Sequence, residues 1–127
     1  MARVVLRWER FDKLRKAREE FRRRPCIYAL ADKDGKILRI GESDDLWVRY
    51  VGGAGWMVDA ALHGSGKTLF VAEAPGDTKQ RKAVEATLVF GCKPEYCVQN
   101  KWVAPSGQEI EIGHEGDVPT ALGPATR

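Results

Sequence analysis

Apolar positions along the chain change period several times, and each change predicts an element. Val4 to Leu6 reads as a short strand. Trp8, Phe11, Leu14, Ala17 and Phe21 then recur at helical spacing, which predicts a helix over residues 8–23. Arg10, Lys13, Arg15, Lys16, Arg18, Arg22 and Arg23 fill the positions between them, and Pro25 stops the helix. Residues 26–31 are rich in apolar side chains and form a strand. Asp34-Gly35 is a tight-turn signal, and residues 36–40 return as a second strand, giving a hairpin that ends at Gly41. Ser43 is placed to cap a short helix with Asp44 and Asp45 in its first turn. Leu46, Val48 and Arg49 follow, and Gly52-Gly53 ends it.

Residues 56–63 predict another short helix, and the loop His63-Gly64-Ser65-Gly66 leads into a third strand over 68–74. Pro75-Gly76 turns the chain. Asp77 or Thr78 caps a helix that runs to about Phe90, with Gly91 as its stop. After Pro94 the pattern is irregular, with one further strand at 109–112 and a frayed tail from Thr120. The expected fold is a small α/β (α+β) domain, with a three-stranded, mainly antiparallel central sheet flanked by helices. Residues 1–24 would form a basic helical extension packed on a core of 25–100, and 101–127 an irregular tail.

The 127 residues are one domain's worth and can bury a core unaided. No apolar run approaches the roughly 18 residues of a membrane helix. The N-terminus lacks the apolar stretch of a secretory signal, so a cytoplasmic protein with no membrane partner is expected. Cys26, Cys92 and Cys97 cannot all pair within one chain and read as reduced thiols. With His63 or His114 the last two invite a zinc reading, which the absence of a CxxC pair disfavours. Net charge is +3, but up to Pro25 there are ten Lys/Arg against four Asp/Glu. One basic end suits contact with a polyanion, whereas the bland alternative is a solvated helix face.

The hairpin carries a resemblance. Cys26-Ile27-Tyr28 and Arg39-Ile40-Gly41 resemble the Gly-Ile-Tyr and Tyr-Ile-Gly triplets of the GIY-YIG nucleases, ten residues apart. The segment from Gly41 to Arg49 resembles that family's Gly-Lys-Ser-x-Asn-Leu-x-x-Arg. Val84-Glu85-Ala86-Thr87-Leu88 and Lys93-Pro94-Glu95-Tyr96 resemble its metal-site helix and exit. The likeness spans roughly Pro25 to Asn100. It implies a metal-dependent DNA endonuclease: Tyr28 activates water, Arg49 clamps the phosphate, and Glu85 holds one Mg²⁺ or Mn²⁺ ion at the leaving oxygen.

Those residue types suit the chemistry. A guanidinium offers phosphate a fixed fork of donors, and hard cations prefer carboxylate oxygen. A phenol with a pKa near 10 needs a nearby cation to act as a base. Arg39, standing for the second tyrosine, is such a cation. It does not accept hydrogen bonds as a phenol does. Cys97 stands where the family often has asparagine, with Asn100 three residues on. Each residue also has an ordinary structural role open to it: Tyr28 as a half-buried strand aromatic, Arg49 paired with Asp45, Glu85 paired with Arg81 or Lys82. His63 is a supplementary candidate or simply a loop histidine.

Arg10, Arg15, Arg18, Arg22 and Lys67 are the candidates for gripping DNA phosphates. Gly64-Ser65-Gly66-Lys67-Thr68 ends like a nucleotide-binding loop. Ala61 takes its first glycine's place and a strand follows instead of a helix, so no nucleotide cofactor is expected. Two functions stand: an endonuclease, or a catalytically degenerate domain of the same type that binds nucleic acid or a protein.

Overall fold

A computed structural model describes residues 2–49, 67–74, 77–95, 97 and 110–122, with the side chains of Ala2 and Arg49 left out. Strand β1 (Ala2–Phe11) leads to helix α1 (Leu14–Glu20). Strands β2 (Cys26–Ala31) and β3 (Ile37–Ser43) form the hairpin, and helix α2 (Leu46–Arg49) follows. Strand β4 (Thr68–Glu73), helix α3 (Thr78–Cys92), strand β5 (Ile110–Gly116) and a 3-10 turn (Thr120–Leu122) complete the order. The expected helix at 56–63, the 52–53 glycine stop, the 64–66 loop, the 75–76 turn and the last five tail residues lie outside the described residues.

The α+β class stands, but the sheet has five strands and is mixed, in the order β3-β2-β4-β1-β5. The three expected strands are its contiguous antiparallel part: β2 pairs with both β3 and β4. β1 extends this part antiparallel to β4, and β5 runs parallel to β1 along its other side. The helix expected over 8–23 is therefore corrected: its first part is strand. Val4, Leu6 and Trp8 are buried, while Arg3, Val5, Arg7 and Glu9 between them are exposed. That is a period of two, and it takes Trp8 and Phe11 out of the helical series. Only Leu14, Ala17 and Phe21 keep the helical burial pattern.

Other boundaries move less. β3 runs through Gly41 to Ser43. Asp77 caps α3 as expected, its carboxylate accepting from the Lys79 N–H at 2.9 Å. Gly91 lies inside that helix, which ends instead at Lys93 in the left-handed conformation. β5 is longer than expected. It meets β1 so closely that a Cβ on Gly116 would collide with the Trp8 carbonyl.

The strands alternate their side chains between two apolar clusters. Ile27, Ala29 and Ala31 face Val84, Leu88 and Val89 of α3, together with Leu6 and Trp8 of β1. Tyr28 and Leu30 face the other way, onto Leu14, Ala17 and Phe21 of α1 and its C-terminal cap and Leu46 of α2. The sheet thus has an α1 face and an α3 face, and every candidate on a strand belongs to one of them.

Candidate functional site

Tyr28 is buried, 1 % exposed, on the α1 face. Its cross-strand partner is Gly41, and the ring lies over that glycine so closely that a Cβ there would overlap the phenol carbons. A glycine opposite the tyrosine is thus a steric requirement of the hairpin. Arg39 pairs with Leu30 and shares the α1 face, since directly opposed residues on paired strands point the same way. Leu38 tucks into the α1 cluster at the register shift beside Leu30, while Arg39 stays exposed. Arg49 ends α2, whose Leu46 packs in the same cluster.

Glu85 lies elsewhere. It is half-buried on α3, between Arg81 and Val89, on the helix that covers the opposite face. The structure therefore brings Tyr28, Gly41 and Arg39 to one face of the sheet and puts Glu85 on the helix covering the other. The expected single site of phenol, guanidinium and carboxylate is not assembled among the described residues.

A buried ion pair occupies the α3 face instead. Glu42 stands at the lysine position of the resembled segment, and its partner in the sheet is Ile27, which faces α3. Its carboxylate accepts from Arg81 Nε at 2.7 Å. The Arg81 side chain is 4 % exposed and that of Glu42 18 %. Arg81 also approaches Thr78 Oγ1 at 3.5 Å. Both members line a cavity of about 510 Å³, with Ser43, Asp44, Asp45, Val48, Thr78 and Lys82. Neither Tyr28 nor Glu85 is among its lining residues.

The described residues of this arrangement offer a divalent metal no ready set of ligands. Among the described residues no three His, Cys, Asp or Glu side chains gather as potential ligands. Glu42, a half-buried carboxylate of the cavity, is already engaged by a guanidinium, which competes with a hard cation for the same oxygens. Glu85 is on the face opposite the phenol it would act with.

The thiols have structural positions. Cys97 Sγ donates to the Ile40 carbonyl and accepts from the Ile40 N–H, each at 3.3 Å, so it covers the outer edge of β3. Cys26 starts β2 in the core, and burial pushes its thiol up to about 12. Burial raises Cys92 as well. His114, on β5, accepts from the Trp8 indole N–H at 3.0 Å, and burial lowers its pKa. Acceptance at Nδ1 requires the neutral ring with its proton on Nε2.

The basic residues divide into two groups. Arg10 lies 3.7 Å from Asp12, and its backbone N–H donates to Asp117. Arg15 pairs with Glu19 at 3.1 Å. Lys67 is half-buried just before β4. Arg18 donates from Nε and Nη2 to the Trp47 carbonyl at 3.2 and 2.7 Å. Arg18 and Arg22 both place their guanidinium carbon over the Trp47 ring, 4.7 and 4.9 Å from its centre. Neither Trp47 nor the Arg81–Glu42 pair was singled out by sequence. Both depend on contacts between distant segments, which spacing along the chain does not report. His63 lies outside the described residues.

No family model matches the chain, and neither a curated protein nor a solved structure does.

Proposed function

We propose that this chain is a GIY-YIG-like domain that binds DNA through the basic surface around α1 and does not cleave it. One observation carries the reading. Tyr28 is enclosed on the α1 face, while Glu85 belongs to the helix on the α3 face. A water-activating phenol and a metal-holding carboxylate must reach the same phosphodiester within hydrogen-bond distances. Opposite sides of a sheet do not offer that. The α1 segment supplies a binding surface: Lys13, Arg15, Lys16, Arg22 and Arg23 are all exposed. Phosphate contacts of this kind position a protein on nucleic acid without reading sequence.

A second reading, the endonuclease, draws on Tyr28, Gly41 and Arg39 sharing a face beside α2. It requires Glu85 and a bound Mg²⁺ ion to work with them.

Incubation with supercoiled plasmid and Mg²⁺ or Mn²⁺, alongside a salt titration of DNA affinity, separates the two. Nicking by the wild type is expected to be no faster than by Glu85→Ala, and affinity is expected to fall steeply with salt. Nicking that depends on Glu85 establishes the endonuclease. An affinity that does not change with salt argues for a protein partner instead.

A further inference from the structure

We propose that Arg18, Trp47 and Arg22 form a preassembled site for one unpaired nucleotide, so that the domain prefers single-stranded nucleic acid. This rests on the binding function above and assigns it a place and a substrate class.

The described arginines of the N-terminal region are mostly spoken for. Arg3, Arg7, Arg10, Arg15 and Arg24 each lie within ion-pair distance of a carboxylate. Arg18 and Arg22 meet no carboxylate among the described residues. Instead, both guanidinium groups rest on one indole ring. Asp45 makes no ion pair with either of them; its Oδ1 accepts the Trp47 N–H at 3.1 Å. Arg18 is further fixed by its two bonds to the Trp47 carbonyl. Two like charges are thus held on one ring with no ion-pair partner among the described residues, which favours an anionic ligand.

The geometry also selects the kind of anion. Arg22 is exposed. A guanidinium held over an aromatic ring can offer its other side to a second flat partner, and the N–H groups of Arg22, unlike those with which Arg18 holds the Trp47 carbonyl, can reach phosphate oxygens. A nucleobase and its phosphate supply both. A duplex keeps its bases stacked on each other, so only an unpaired base can take the plane.

The test measures binding of a labelled single-stranded DNA oligomer and of a duplex of equal length, at one salt concentration, by wild type, Arg22→Lys and Lys16→Gln. Lysine keeps the charge of residue 22 and removes its plane. Wild type is expected to prefer the single strand. Arg22→Lys is expected to weaken the single strand about tenfold and the duplex little. Lys16→Gln is expected to weaken both by the same factor. If Arg22→Lys binds the single strand like wild type, or the duplex binds as well as the single strand, the nucleotide site is wrong and charge-driven DNA binding survives. If wild type binds neither DNA, both the site and the binding function fall.

Discussion

The two faces of the sheet treat charge in opposite ways. On the α3 face the central charge is cancelled internally: Glu42 and Arg81 are buried against each other at 2.7 Å. On the α1 face, Arg39 is exposed, and Arg18 and Arg22 lie on a tryptophan and form no ion pair among the described residues. An ion pair buried beneath a helix is a structural element, because its desolvation is offset only by its partner. Cations left at the surface without a counter-charge are available to a ligand. The cations that form no ion pair among the described residues thus lie on the α1 face, and Glu85 is carried by the helix on the other.

Substitutions on either face sharpen this contrast. The largest effect is expected from Arg81→Ala, which strands Glu42 in a mostly buried position. It should cost about 3 kcal/mol or more in urea unfolding, while Glu42→Leu combined with Arg81→Leu should cost far less. A similar loss in the double variant would mean that the pair is not the reason for the cost. Next is Gly41→Ala on the α1 face. Its Cβ would enter the Tyr28 ring, with an expected cost of about 2 kcal/mol that Tyr28→Val largely removes. If Gly41→Ala unfolds at the wild-type urea concentration, the ring does not lie where it is described.

A smaller effect comes from His114 behind the α3 face. Burial lowers its pKa, so the unfolded chain takes up the proton first as pH falls. The stability contributed by the neutral ring is therefore present above about pH 6.5 and lost on acidification. Protonation would also set a second donor against the Trp8 indole N–H. The urea midpoint should fall between about pH 7.5 and 5.5, and His114→Gln should flatten that dependence. An unchanged slope in the variant would assign the titration to another group.

Sequence was a good guide wherever local chemistry decides the structure. The β2–β3 hairpin follows from its turn residues and apolar run. Asp77 at the start of α3 follows from capping. It failed at β1, where Trp8 and Phe11 satisfy helical spacing with Leu14 while Val4, Leu6 and Trp8 satisfy strand alternation. The choice is made by β4 and β5, which pair with β1 from residues far along the chain. The candidate site shows the same division. The residues on the hairpin stayed together because one element holds Tyr28, Arg39 and Gly41. Glu85 separated from them because its helix crosses to the other side of the sheet, and motif order carries no information about sides. Cys97 took a backbone-covering position at β3 that its place in the motif does not suggest.

The separation of Tyr28 from Glu85 is the central claim, and a double-mutant cycle tests it directly. Urea unfolding of Tyr28→Phe, Glu85→Ala and the double variant gives their coupling. Residues on opposite faces of the sheet should add to within about 0.5 kcal/mol. A coupling above about 1 kcal/mol would contradict the account and place the phenol and the carboxylate in one site.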